Sequence, residues 1–506
     1  MRHGTCFRRR LSARRAAAAP RSAVAELGVV RRCYALSVKT LIQALTFAAI
    51  ASAAPAADAP PRAQVLAAMK KAATCFREKA AAHGGYVYYW SPDFSQRWGE
   101  GKATKDQIFV QPPATPAVGM AFLKAFAATG DGYYLDAARE AGEALVHGQL
   151  MSGGWTQAID FDSAGAKVSQ YRNGKGRGRN YSTLDDGISQ SALRFLMHAD
   201  RALGFKHAGI HEAERIARDA LLAAQHPNGG FPQVWSGPAP EYPAVKAAFP
   251  DYDWRTENRI KDYWDLPTLN DDLAGTVARV LEDGWMICKD ERCRQALARL
   301  GDFLLLAQLP EPQPGWAQQY DRQMRPVWAR KFEPPAVAGR ESQDAILTLL
   351  RVFAITGDAK YIEPIPRALT WLKRSRLPDG RLARYYELGS NKPLYMTGDY
   401  QLTHSDADLP KHYGWKTESR ADAMAQAFQA AKTLTTQPAV PTAVSEEEVA
   451  AILRGLDADD RWVSTYGGEP LVGQPRFAPG TKFIAAEVFN RNFEALSDYV
   501  SARTLK

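Results

Sequence analysis

The sequence has few cysteines, no long apolar run after its N-terminal segment, and no charge excess in its main body. Its five cysteines include no CxxC pair, which excludes a zinc-finger-type site. In an exported protein Cys288 and Cys293 can form a disulfide, which leaves Cys75 free. Residues 1–57 contain ten Lys or Arg and one acid, Glu26, which leaves 54 of the 64 basic and 54 of the 55 acidic residues for the rest. The net charge of +9 therefore gives no support to a nucleic-acid-binding body.

The N-terminal segment has the pattern of an export signal. A cationic start at Lys39 precedes a short apolar run, and the small residues 54–57 offer a signal-peptidase site. This run is shorter than the about 18 apolar residues that a transmembrane helix needs. We therefore predict a presequence over residues 1–57 and a secreted or periplasmic protein. The Arg-rich residues 1–37 indicate a true start near Val38, with an organellar transit peptide as the alternative.

A glycine turn followed by a bulky residue recurs at intervals of about 66 to 85 residues. This spacing fits two helices and their connections, and repeated helix pairs bury their apolar faces by stacking or by closing into a ring. Apolar periodicity predicts helices at 116–128, 134–149, 189–203, 210–225, 273–282, 293–308, 342–355, 362–373 and 420–434. We expect an all-α fold, an α/α toroid with short local β segments, over residues 58–434. A linker and a helical tail would follow over residues 435–506.

The bulky residues of these turns have two interpretations. Trp155, Phe231 and Trp316 each follow a glycine turn and precede a glutamine by two residues. Beside the C-terminus of a helix they can pack in the core. Because they reach the same end of successive hairpins, they can also form a cleft on which sugars stack. We therefore take all three as candidate substrate-binding residues.

Two acidic pairs stand at predicted helix starts. Asp185-Asp186 precedes one helix, and Asp271-Asp272 precedes a later one. An aspartate at a helix start can cap the free N–H groups. Two doubled charges at successive helix starts instead favour a divalent cation between them, because like charges repel without one. We therefore take Asp185, Asp186, Asp271 and Asp272 as candidate metal ligands. Oxygen ligands without His or Cys indicate calcium or magnesium.

Basic residues flank these pairs. The glycine-rich loop 172–179 ends at Arg179, close in sequence to the first acidic pair. Arg330 and Lys331 lie in a tryptophan-containing turn. We take Arg179 and Lys331 as further candidate substrate-binding residues. For Arg330, a packing role or a salt bridge to a glutamate competes with recognition of a substrate carboxylate by its planar guanidinium.

At these positions the chain resembles the family 10 pectate lyases, over about residues 115–415. The resemblance rests on an ordered series of segments: the Gly-Gly-Trp/Phe-(Thr/Pro)-Gln turns, TLDDG at 183–187, LNDD at 269–272, WAQQYD at 316–321, WARKFE at 328–333 and LARYYE at 382–387.

The resemblance implies an α/α toroid of three helix hairpins and cleavage of polygalacturonate by calcium-assisted β-elimination. It places calcium at Asp185, Asp186 and Asp271, the catalytic base at Arg330 and a carboxylate-binding arginine at Arg384. The acidic partner of this protein would be a polygalacturonate or a related uronate glycan, and we expect a monomer.

Two departures from the family pattern leave alternatives open. The family usually has asparagine where this chain has Asp186, and a further family arginine, expected about fourteen residues after Arg384, falls near residues 398–399. One alternative is a glycoside hydrolase on a similar toroid that uses Asp185 and Asp271 as acid and base. The other is a non-catalytic protein that binds uronates.

Overall fold

The computed structural model describes residues 59–256, 263–433 and 444–503. The predicted presequence and the predicted linker at 435–441 lie outside these residues. None of the helices in the described ranges is both long and apolar enough to cross a bilayer. The helices are α1 (Arg62–Cys75), α2 (Thr115–Thr129), α3 (Gly132–Gly148), α4 (Ile188–Ala202), α5 (Ala208–Ala223), α6 (Leu273–Met286), α7 (Glu291–Ala307), α8 (Gly339–Thr356), α9 (Ile365–Arg374), α10 (Ala421–Thr433), α11 (Glu446–Arg454) and α12 (Ala486–Ala502).

Local sequence explains several helix boundaries. α2 ends at Gly130 and α8 ends at Gly357, and both glycines have left-handed φ angles of 72° and 74°. The next residue, Asp131 or Asp358, accepts a hydrogen bond from the backbone N–H two residues further on. A Gly-Asp pair thus ends one helix and caps the next helical segment.

The helices form an α/α toroid. Consecutive helices pair as the hairpins α2/α3, α4/α5, α6/α7 and α8/α9. The first helices of the hairpins form an inner row, in which α12, α2, α4, α6, α8 and α10 each contact the next. The described residues therefore contain four hairpins and further helices, where the family resemblance implied three hairpins.

The strands are short and local, as expected for an all-α fold. Most of them join the loops at the ends of the hairpins. They are β1 (Tyr89–Trp90), β2 (Arg97–Gly99), β3 (Gly101–Ala103), β4 (Gln107–Phe109), β5 (Ala158–Asp160), β6 (Ser182–Thr183), β7 (Val234–Trp235), β8 (Val337–Ala338), β9 (Leu382–Ala383), β10 (Tyr385–Tyr386), β11 (Pro393–Met396), β12 (Leu402–Thr403), β13 (Lys416–Thr417), β14 (Val463–Thr465) and β15 (Lys482–Ala485).

The C-terminal tail shares the core of the toroid. β15 pairs antiparallel with β1, with Tyr89 opposite Ala485. α12 packs against α1 and α2, and its residues Phe493 and Val500 are fully buried in the same apolar cluster as the hairpins. A division at residue 435 therefore does not separate two independent cores.

The three described cysteines, Cys75, Cys288 and Cys293, are free thiols. The disulfide between Cys288 and Cys293 is not formed in this structure.

Candidate active site

Two turns at the N-terminal ends of α4 and α6 carry the acidic residues. Asp185–Gly187 precedes α4, and Asn270–Asp272 precedes α6, each as one turn of 3-10 helix. Asp186 and Asp271 occupy the same position in these turns, with left-handed φ angles of 46° and 51°. Neither α4 nor α6 receives a side-chain capping hydrogen bond from its N-cap residue. The carboxylates are therefore not explained by helix capping.

Three of the four predicted metal ligands converge. Carboxylate oxygens of Asp185, Asp186 and Asp271 all lie within 4.8 Å of one another. Partial loss of hydration raises the pKa of Asp185, and repulsion from Asp271 adds to this. Loss of hydration, followed by repulsion from Asp185 and Asp271, raises the pKa of Asp186 to about 7. The raised pKa values show that these three close carboxylates repel one another when all are ionised. A hard divalent cation between them would remove this repulsion, and oxygen donors suit calcium.

Asp272 was predicted as a fourth ligand, and the structure places it elsewhere. Its Oδ2 accepts a hydrogen bond from Arg279 Nη2 at 2.9 Å. Burial raises the pKa of Asp272, and the nearby charge of Asp344 contributes to the shift. Asp272 follows Asp271 directly, but a side chain one residue further along a helical turn points in another direction. Asp272 therefore belongs to a separate ion-pair cluster.

Glutamines of the repeated turns reach the acidic cluster, and the sequence interpretation missed them. Gln157 donates to Gln111 at 3.0 Å, and Gln111 in turn donates to Asp186 Oδ2 at 3.1 Å. Gln233, from the next turn, lies close enough to Asp185 to lower the pKa of that carboxyl and so oppose part of the effect of burial. The recurrence of glutamine two residues after each aromatic residue was the available signal.

The aromatic residues of the same turns are core residues, which contradicts their predicted role in stacking sugars. Trp155 and Trp316 are fully buried, and Phe231 is 1% exposed. The indole N–H groups donate to backbone carbonyls of the preceding helices, at Leu145 for Trp155 and Leu304 for Trp316. These bonds satisfy the only polar atom of each indole side chain, so both tryptophans can be fully buried at little cost.

Arg330 forms a close ion pair with Glu333. Its Nε donates to Glu333 Oε2 at 2.8 Å, and its Nη2 contacts Oε1. Burial by itself would lower the pKa of Arg330, but the hydrogen bonds and charge of Glu333 outweigh burial and raise it. The side chain of Arg330 keeps 38% exposure, and its charge partly offsets the raised pKa values of Asp185 and Asp186. Arg330 thus lies beside the acidic cluster as a firmly protonated guanidinium.

Arg384, predicted to bind a substrate carboxylate, lies behind the cluster. Its side chain is 7% exposed and donates to Glu341 at 3.1 Å and to Asn270 at 3.2 Å. Burial by itself would lower the pKa of Arg384, but the negative charge of Glu341 outweighs burial and raises it. Arg384 is also 3.8 Å from Asp271 Oδ1. Its contacts support the acidic turn from the protein side rather than from the solvent side.

Arg340, which the sequence interpretation did not select, contacts the cluster directly. Its Nη1 donates to Asp271 Oδ1 at 3.1 Å. The signal in the sequence was weak, because Arg340 lies in the first turn of α8, where an arginine is unremarkable without knowledge of the opposing turn.

The two remaining candidates are exposed and lie apart from the acidic cluster. Lys331 Nζ sits 3.6 Å from the centre of the Tyr400 ring. Arg179 lies exposed on its loop, where its carbonyl accepts a hydrogen bond from Gln170. Within the described residues, the structure shows no direct contact of either side chain with Asp185, Asp186 or Asp271.

A family model described as pectic acid lyase matches residues 149–399. The chain belongs to the pectic acid lyase family. The matched region contains both acidic turns, Arg330, Arg340 and Arg384. Membership in this family supports a lyase that acts on polysaccharides.

Solved structures similar to the chain include a mutant of the family 10 polysaccharide lyase from Cellvibrio cellulosa in complex with trigalacturonic acid. This match has 17% identity and a TM-score of 0.45, and it covers 63% of this chain and 98% of that chain. The family 10 polysaccharide lyase from the same organism matches at 18% identity and a TM-score of 0.44, covering 63% and 97%. An α-mannanase from Bacteroides thetaiotaomicron matches at 12% identity and a TM-score of 0.44, covering 87% and 97%. No curated protein matches the chain significantly.

The position at which the pectic acid lyase pattern suggests a further arginine is an exposed turn between β11 and β12. Gly398 N–H donates to Asp408 Oδ2 at 3.0 Å there, and Asp399 is exposed. At residues 398–399 this turn supplies one side chain, the acidic Asp399, and no basic one.

Proposed function

We propose that this protein is a calcium-dependent lyase that cleaves polygalacturonate by β-elimination. The observation that carries the proposal is the convergence of Asp185, Asp186 and Asp271 within 4.8 Å, beside the guanidinium of Arg330. The three aspartates would hold the calcium ion. Calcium supplies the positive charge that neutralises the carboxylate of a uronate and stabilises negative charge formed when the C5 proton leaves.

Arg330 is proposed as the group that accepts the C5 proton. The electron pair of the C5–H bond then forms the C4–C5 double bond as the C4–O bond to the leaving sugar breaks, and the leaving oxygen takes a proton from solvent. To act as the base, the guanidinium of Arg330 must first lose a proton, and the ion pair with Glu333 opposes this loss. A bound cation would compensate the charges of the three aspartates. The electrostatic potential at Arg330 would then be less negative, and its proton would be held less tightly. Glu333 remains as the counter-charge that orients Arg330 after it has accepted the proton.

The presence of three converging carboxylates, where a hydrolase needs two, argues against the glycoside hydrolase. Retaining hydrolases separate their two carboxyl groups by about 5 to 5.5 Å, and inverting ones by about 6.5 to 9.5 Å. The oxygens of Asp185 and Asp271 approach within 4.8 Å, with Asp186 beside them. A third carboxylate at this distance suits a cation better than an acid and base pair.

A non-catalytic uronate-binding protein is the second candidate. The Arg330–Glu333 pair favours it, because a guanidinium held in its charged form binds carboxylates well and accepts protons poorly. The same acidic cluster and calcium ion would serve this function.

Product analysis on polygalacturonate distinguishes the three functions. A lyase forms an unsaturated product that absorbs in the ultraviolet, a hydrolase releases reducing ends without this absorbance, and a binding protein releases neither. We expect ultraviolet absorbance from the wild-type protein. Arg330→Ala should reduce the rate by at least about 1,000-fold without loss of calcium affinity, because the base acts in turnover and its positive charge does not bind the ion. Reducing ends without absorbance, or an active Arg330→Ala protein, would contradict the proposal.

We further propose that the protein acts outside the cytoplasm, as a secreted or periplasmic enzyme. The support is the cationic start, apolar run and small residues within residues 38–57. Fractionation of expressing cells tests this location.

A further inference from the structure

We propose that Arg340, which pairs with Asp271, binds the substrate carboxylate when Asp271 is engaged by a divalent cation. This inference rests on the proposed function. It assigns to Arg340 a role in substrate binding that the family resemblance placed on Arg384.

The first argument is geometric. Arg340 Nη1 donates to Asp271 Oδ1 at 3.1 Å, so it holds an oxygen of one of the three converging carboxylates. A cation held by Asp271 would compete with Arg340 for its carboxylate and would weaken the hydrogen bond between the two residues. Two other acids lie near Arg340. Glu341, whose charge raises the pKa of Arg340 against the effect of burial, is already bound to Arg384 at 3.1 Å, and Asp344 has its Oδ2 3.8 Å from Arg340 Nε. Asp344 is already bound to Arg420 at 2.6 Å.

Exposure separates Arg340 from Arg384. The Arg340 side chain is 38% exposed, whereas that of Arg384 is 7% exposed. Arg384 also keeps Glu341 and Asn270 as partners when Asp271 is engaged elsewhere. Arg340 is therefore the guanidinium that both competes with a cation for Asp271 and is accessible from solvent.

The position of Arg340 in its helix supports a role beyond structure. It is the second residue of α8, in the first turn, where the helix dipole disfavours a positive charge. A cation placed against the dipole needs compensating negative charge, and Glu341 and Asp271 supply it. In the metal-bound protein, a uronate carboxylate beside the metal would satisfy the planar donors of Arg340.

The test uses Arg340→Gln, which removes the charge and keeps a polar side chain of moderate length. We expect two effects of opposite sign. Calcium affinity of the free protein, measured by calorimetry, should rise about three- to fivefold because a competing cation is gone. The KM for polygalacturonate should rise about tenfold or more, because a charged hydrogen bond to the substrate is lost.

Arg279→Gln is the matched control. Arg279 lies on α6 and pairs with Asp272, outside the three converging carboxylates. The Arg279→Gln variant loses the same positive charge near the same turn, but it changes no contact of the three converging carboxylates. Both calcium affinity and KM should therefore stay within about twofold of wild type. Arg340→Lys, which keeps the charge, should restore part of the loss in KM.

Several outcomes would overturn the inference. A purely structural role predicts that Arg340→Gln lowers calcium affinity or leaves it unchanged, and unchanged KM would equally contradict substrate binding. If the wild-type protein forms no product, the proposed lyase function fails by itself. Arg340 is then tested by the affinity for oligogalacturonate in the presence of calcium. A loss of that affinity in Arg340→Gln supports the inference, and an unchanged affinity refutes it.

Discussion

The turn before α4 and the turn before α6 share a backbone but use their acidic residues differently. Asp186 and Asp271 are equivalent in position and conformation, and both join the acidic cluster. The next position is Gly187 in the first turn and Asp272 in the second, again with left-handed φ angles of 72° and 57°. Asp272 faces Arg279 instead of the cluster.

The residue before the shared position also differs. In the first turn it is Asp185, the third member of the cluster, and in the second it is Asn270, which accepts a hydrogen bond from Arg384. The backbone thus fixes where each side chain starts, and the neighbouring cations decide which carboxylates remain available to a metal. A count of acidic residues at helix starts therefore overestimates the number of ligands.

The largest expected effect separates the two neighbours of the second turn. Asp271→Asn should lower calcium affinity on the order of 100-fold, because ligand charge sets calcium affinity over several decades. Asp272→Asn should change it by less than about threefold, since Asp272 pairs with Arg279. Calorimetric titration of the chelator-treated proteins measures both. Equal losses in the two variants would show that Asp272 is a ligand after all.

A smaller effect concerns the pH dependence of the first turn. The pKa of Asp186 is raised from 3.8 to about 7 in the folded protein, so the folded state binds this proton more tightly than the unfolded state. Its contribution to stability is complete below about pH 3.8 and is lost as the pH rises through about 7. In metal-free protein, Asp186→Asn should therefore melt higher than wild type at pH 8, by about 2 °C after allowance for solvent screening.

The control for this prediction is the same comparison at pH 4, where the melting temperatures of the two proteins should converge. Added calcium should remove the advantage of Asp186→Asn at pH 8, because the ion compensates the repulsion. A difference that is independent of pH would contradict the role of Asp186 charge.

The smallest expected effect tests whether the backbone of the turns matters by itself. Gly187→Ala places a side chain at a left-handed φ of 72°, where the nearest neighbour of the added Cβ is Thr276 Cγ2 at 3.9 Å. Without a steric clash, the cost is the backbone conformation alone, about 1 kcal/mol in the free energy of unfolding. Denaturant titration should show this loss, with calcium affinity unchanged. A large loss of calcium affinity would mean that the turn must adjust when the ion binds.

Much of the fold could be predicted from the sequence, because apolar periodicity and glycine turns are local signals. The helix predicted at 116–128 is observed as Thr115–Thr129, and that predicted at 273–282 as Leu273–Met286. The packing of the tail could not be predicted, because pairing of Tyr89 with Ala485 joins distant parts of the chain. Contacts between distant segments produce no periodic pattern in the sequence.

Part of the candidate site could also be predicted from local sequence patterns. The acidic turns stood out, and the glutamate partner weighed for Arg330 is Glu333, three residues away. The side chain of Asp272 points towards Arg279, which lies seven residues, or two helical turns, later in the sequence. This spacing could have indicated an ion pair between the two residues. The contact of Arg340 with Asp271 joins α8 to the turn before α6, and no local pattern predicts it.

The most direct test of the calcium-dependent lyase is the addition of calcium to chelator-treated protein on polygalacturonate, followed by ultraviolet absorbance. We predict no absorbance increase before calcium is added and full recovery afterwards. Asp271→Asn should require on the order of 100-fold more calcium for the same recovery. Activity that survives complete removal of calcium, or identical calcium requirements in the two proteins, would contradict the account.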